Sequence, residues 1–170
     1  MKRCWHIALI CLAILLLASP ILFAMEKVDA EKQLDAIKAL AGTWVSEKPG
    51  QDGKPMTTIF KVTSGGTAVQ EMLFAGSDHE MLDVYTVDGD KLVLTHYCIM
   101  GNQPRMVLKS SEKGKMNFEY VGGGNMKSRD ESHMDSVELT IGGDKLAEKW
   151  TNMADGKVGE VVSFEFKRKS

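Results

Sequence analysis

Residues 112–120 read Glu112-Lys113-Gly114-Lys115-Met116-Asn117-Phe118-Glu119-Tyr120. Met116, Phe118 and Tyr120 alternate with Lys115, Asn117 and Glu119, the period of a strand with one dry and one wet face. Lys113-Gly114 in front of them is a tight-turn signal. The same pattern repeats along the chain, with alternating runs near 43–47, 57–63, 67–75, 79–87, 91–99, 105–111, 115–121, 134–142, 145–152 and 158–167. Between them stand Ser64-Gly65-Gly66, Asp88-Gly89-Asp90, Lys113-Gly114, Gly142-Gly143-Asp144 and Ala154-Asp155-Gly156. Short strands at even spacing predict an all-β fold, an up-and-down antiparallel barrel of about ten strands with a short N-terminal helix.

The helix is expected within residues 25–41. Val28, Ala30, Leu34, Ile37 and Leu40 recur at near-helical spacing, with Asp29 placed to cap and Gly42 to stop it. Residues 1–24 read as a signal peptide rather than as fold. Lys2 and Arg3 precede the apolar run 7–17, Ser19-Pro20 breaks it, and Ala24 offers a small residue for cleavage. The expectation is an exported protein, periplasmic or secreted, whose barrel domain occupies 42–170. Without residues 1–24 the formal charge moves from −2 to −4, because Lys2 and Arg3 leave and no acid does. A mildly acidic chain with no basic block argues against nucleic acid as a partner. Cys98 alone remains of the three cysteines, so no intramolecular disulfide is expected.

In a meander, alternate connections lie at the same end. The second, fourth, sixth and eighth links are glycine turns, whereas the long stretches 48–56, 99–104 and 122–133 fall among the others. One end is therefore closed by turns and the other is a loop-rich mouth, where barrels carry ligand sites. The alternation sends inward Met116, Phe118 and Tyr120; Val137, Leu139 and Ile141; Val162, Phe164 and Phe166; and Leu146, Glu148 and Trp150. Leu92, Leu94, His96 and Cys98 are the preferred inward face of the fifth strand, which lets His96 and Glu148 share the lumen.

Leu40-Ala41-Gly42-Thr43-Trp44, a helix ending in Gly-x-Trp at the first strand, resembles the start of lipocalins and the wider calycin group. Ten strands resemble the fatty-acid-binding or nitrobindin-like branch. The resemblance implies that Trp44 packs at the closed end beneath a basic residue of the last strand, Arg168 or Lys167, with Gly42 structural. It does not extend to haem. Val45-Ser46-Glu47 replaces the glycine-rich continuation of haem-binding members, and the last histidine, His133, is far from the C-terminus. No cofactor is expected.

The polar knot "LTHYCIMGNQPRM", residues 94–106, spans the fifth strand, its connection and the sixth strand, so it lies at the mouth. A small, largely apolar ligand with a polar head fits this plan. Met106, Phe118, Tyr120 and Trp150, with Phe164, would line its cavity, and His96, Tyr97, Cys98, Gln103, Arg105 and Glu148 would orient its head. Arg105 is the expected partner for a carboxylate or phosphate. A plain structural reading bonds His96 to Glu148 or Tyr97 and packs Cys98 as a small hydrophobe. His96 and Cys98 share a face, but no second ligand pair accompanies them, so a metal site is not expected. Two alternatives remain: a packed barrel that binds a protein partner, and an enzyme using His96 and Glu148 as acid–base groups.

Overall fold

Ala30, Leu34 and Ile37 form the apolar side of the helix α1 (Ala30–Lys38), and that side decides where the helix lies: all three are buried, with Leu40 just beyond them. Asp29 caps it, its carboxylate accepting from the Lys32 amide at 3.2 Å. The computed structural model describes residues 29–50 and 52–170. Val28 and the expected signal peptide 1–24 lie outside the described residues.

Ten strands follow: β1 (Gly42–Pro49), β2 (Pro55–Thr63), β3 (Ala68–Leu73), β4 (Met81–Asp88), β5 (Lys91–Tyr97), β6 (Gln103–Glu112), β7 (Lys115–Gly124), β8 (His133–Gly142), β9 (Lys145–Ala154) and β10 (Lys157–Arg168). Each pairs antiparallel with its neighbours in sequence, and β10 returns to β1, so the sheet is a closed barrel. Among the described residues no helix is long and apolar enough to cross a membrane.

The helix seals the end that carries the glycine turns. Beneath it lie the buried side chains nearest that end of each strand, among them Trp44, Phe60, Leu92, Met116, Leu139, Leu146 and Phe166. The turns there are tight enough to require glycine. A Cβ on Gly114, at φ +80°, would stand 2.6 Å from the Ile141 carbonyl oxygen, which is within contact distance of the backbone that pairs β7 with β8.

One clamp joins helix, first strand and last strand. The Trp44 indole nitrogen donates to the Leu40 carbonyl at 2.8 Å. Arg168 lies over the Trp44 ring at 4.3 Å and donates to the Ala41 and Ala39 carbonyls at 2.8 and 2.9 Å. Its guanidinium thus satisfies free carbonyls at the helix C-terminus, where a cation also suits the dipole. Lys167, the other candidate for this place, points away to Glu47 at 2.6 Å. Closure itself is short: Trp44–Ser46 pair with Phe166–Arg168, while β10 pairs with β9 from Lys157 to Lys167.

Removing the clamp should weaken the closed end. Arg168→Ala is expected to lower unfolding free energy by about 2–3 kcal/mol, the sum of a cation–π contact and two charge-assisted bonds. Arg168→Lys, which keeps the charge but not the fork, should fall between the two. Urea denaturation followed by fluorescence measures the order.

Candidate functional site: a polar layer inside the barrel

Alternation on β3 places Val69, Glu71 and Leu73 on one face, and on β4 it does the same for Asp83 and Tyr85; all five are buried. From β5, β9 and β2 come His96, Glu148, Trp150 and Thr58, also buried. These side chains form a polar layer between the apolar closed end and the mouth. Burying three carboxylates is costly unless each finds partners.

Glu71 is the most fully bonded. Thr58 donates to one oxygen at 3.1 Å and the Tyr85 hydroxyl to the other at 2.7 Å. Asp83 and His96 are registered neighbours on β4 and β5, and Nδ1 of the imidazole lies 2.6 Å from Oδ1 of the carboxylate. The Trp150 indole nitrogen donates to Oε2 of Glu148 at 3.0 Å, and its ring packs 5.1 Å from that of His96 across the lumen. Three polar atoms in the layer have no hydrogen-bonding partner: Oδ2 of Asp83, Nε2 of His96 and Oε1 of Glu148.

Burial raises the Glu71 carboxyl well above the usual carboxylate range, and the nearby charges of Glu148 and Asp83 push the same way. Burial likewise raises Glu148, although the neighbouring Glu71 carboxyl and the Trp150 indole lower it. Asp83 is raised by burial, although His96 pulls it down. For His96, burial alone would lower the pKa. The charge and hydrogen bond of Asp83, aided by Cys98, overcome this and raise it to about 10. The imidazole is therefore protonated at neutral pH, with Nδ1–H given to Asp83 and Nε2–H unengaged. Cys98, part-exposed just beyond β5, is raised by burial, but the nearby His96 and the Met100 backbone leave its thiol lower than an ordinary cysteine.

Above the layer, Met56, Phe74, Met81, Met134, Val162 and Phe164 form a half-buried apolar collar at the mouth. Phe74 and Phe164 meet edge to face at 5.1 Å from opposite sides of the β1–β2 wall. Beside the mouth, His133 opens β8 rather than lying in the loop, is buried, and packs 4.5 Å from the Tyr120 ring. Arg129 lies over the same ring at 4.3 Å.

The structure divides the residues singled out in the sequence. His96, Met106, Phe118, Glu148 and Trp150 are buried inside, Tyr120 is half-buried at the mouth, and Cys98 stands at its rim. His96 takes Asp83 as its partner, not Glu148 or Tyr97. Tyr97, Gln103 and Arg105 are on the outer wall, where with Val93, Val107, Val121 and Gly122–Gly124 they line a groove of 680 Å³. Arg105 is engaged there by Asp88. Adjacent strand residues face opposite ways, so His96 and Tyr97, like Arg105 and Met106, cannot serve one site. Asp83, Glu71 and Tyr85 were missed, though the alternation around them carried the signal. Among the described residues no group of three or more His, Cys, Asp or Glu has a metal-holding arrangement.

No protein-family model matches the sequence, and no curated protein matches it. The fold and the polar layer define a closed ten-stranded antiparallel barrel with titratable groups across its axis.

Two measurements follow. In the folded protein His96 keeps its proton to about pH 10, whereas an unfolded histidine loses it near 6.5. The native state then binds the extra proton, so its stabilising contribution is complete below pH 6.5 and lost as pH rises toward 10. The raised carboxyls of Glu71 and Glu148 act in the same direction as pH rises above the ordinary carboxyl value of 4.5. Urea unfolding should show stability falling by up to ~1.4 kcal/mol per pH unit per proton, flattened in His96→Gln. Separately, alkylation of Cys98 by iodoacetamide, followed by peptide mass spectrometry, should have a midpoint below that of free cysteine. Asp83→Asn should move the midpoint upward.

Proposed function

We propose that this protein is an exported, lipocalin-like barrel that binds a small, largely apolar molecule with a polar head. The supporting observation is the set of fully buried polar atoms without partners, Oδ2 of Asp83, Nε2 of His96 and Oε1 of Glu148, lying beneath an apolar collar. A buried donor or acceptor left unpaired costs about 1–3 kcal/mol, so a molecule that pairs them recovers that energy on binding. Phe74, Met81, Met134 and Phe164 supply flexible or aromatic surface for its apolar part, and methionine adapts to varied shapes. The Gly42-Thr43-Trp44 start and the Arg168 clamp at the closed end support the likeness to calycin barrels.

A second reading is favoured by the outer wall. Tyr97 and Val121 are exposed apolar side chains lining the 680 Å³ groove, and Ile99 and Met100 are exposed on the connection after β5, a surface suited to a protein partner. Titration with 1-octanol, followed residue by residue by NMR, separates the two. Saturable shifts at His96, Trp150 and Phe164, with a Kd below about 1 mM, are the expected result. Shifts limited to Tyr97, Ile99 and Val121, or none at all, would reject lumen binding.

A further inference from the structure

We infer that the polar layer takes a cationic, hydrogen-bond-donating head, an ammonium group on an apolar body, rather than a carboxylate or phosphate. This rests on the lumen-binding reading and specifies its ligand. Among the described residues the fully buried acids are Glu71, Asp83 and Glu148, and the base that meets them is His96. The other buried histidine, His133, is engaged beside the mouth by Arg129 and the Glu131 carbonyl, both at 2.6 Å. Arg105, which might have received an anionic head, lies on the outer wall with Asp88. Three carboxyl groups therefore face one imidazolium.

The free valences agree with that balance. Oδ2 of Asp83 and Oε1 of Glu148 are acceptors, on strands that stand at opposite walls of the ten-strand ring, and both side chains are fully buried. An ammonium group carries up to three donors for such acceptors, and a carboxylate carries none. A carboxylate could take the single donor at His96 Nε2, but it would add a negative charge beside three acids in a medium where like charges interact strongly. Burial raises the Glu71 and Glu148 carboxyls and so disfavours their charged forms. An entering cation supplies the countercharge that lets one of them ionise, so the layer is set up to exchange a proton for a cation.

The test compares octylamine, 1-octanol and octanoate, which share one chain and differ in the head, at neutral pH with the full protein. Octylamine should bind about tenfold or more tighter than octanoate, with 1-octanol between. That ratio should collapse in both Glu148→Gln and Glu71→Gln, whose folding is checked by the barrel's NMR dispersion. Equal binding of all three, or preference for octanoate, overturns the ammonium assignment while leaving lumen binding intact. An amine preference that survives both variants but disappears in about 0.5 M NaCl is adsorption to the acidic surface and also overturns it. Failure of all three to bind overturns the assignment and the lumen reading together.

Discussion

The hydrogen bond between His96 and Asp83 is the constraint around which the interior is arranged. At 2.6 Å and with both side chains buried, it commits β4 and β5 to one register and one inward face. Its two charges must be kept, because removing one partner of such a pair leaves the other bare at a cost of about 3–5 kcal/mol. Trp150 covers the imidazole, Glu148 takes the indole proton, and Glu71 is held in turn by Tyr85 and Thr58. A ten-stranded wall brings groups from β2, β3, β4, β5 and β9 to a common axis.

The two halves of the barrel perform different tasks. At the closed end, helix, Trp44 and Arg168 form a rigid plug in which every polar group named above is bonded. Toward the mouth the packing loosens into methionines and two phenylalanines, and unpaired polar atoms appear below them. Stability is concentrated at one end, and unsatisfied chemistry at the other. A site whose free atoms are held in place by the fold loses little entropy when a ligand arrives.

The strand count, the glycine turns and the helix cap at Asp29 were legible in the sequence through local periodicity, while a basic residue over Trp44, Arg168 or Lys167, was implied by the resemblance to calycin barrels, and the structure has Arg168 there. So were the inward faces of Leu92-Leu94-His96 and Leu146-Glu148-Trp150. The partners were not. Asp83 meets His96, and Glu71 meets Tyr85, through strand register, which a single sequence does not specify across a loop. An acid within an apolar stripe, such as Glu71 between Val69 and Leu73, passes for a surface residue until its hydrogen-bonding neighbour is known. The dense knot around His96 invited treatment as one site, yet the pleat splits it, sending Tyr97 and Arg105 to the far side of the wall.

The seam between β1 and β10 has a temporal meaning as well as a spatial one. Every other strand pairs with a neighbour in sequence, so those contacts can form hairpin by hairpin. The seam instead joins residues as far apart in sequence as Trp44 and Arg168, and only Trp44–Ser46 against Phe166–Arg168 register there. Closing so long a loop is the slowest contact for a chain to find. On loop-closure grounds the ring is expected to close after its hairpins have formed. Until it closes, the Phe166–Arg168 end of β10 is a bare edge, so the interval before closure is when this chain is most exposed to pairing with another of its kind.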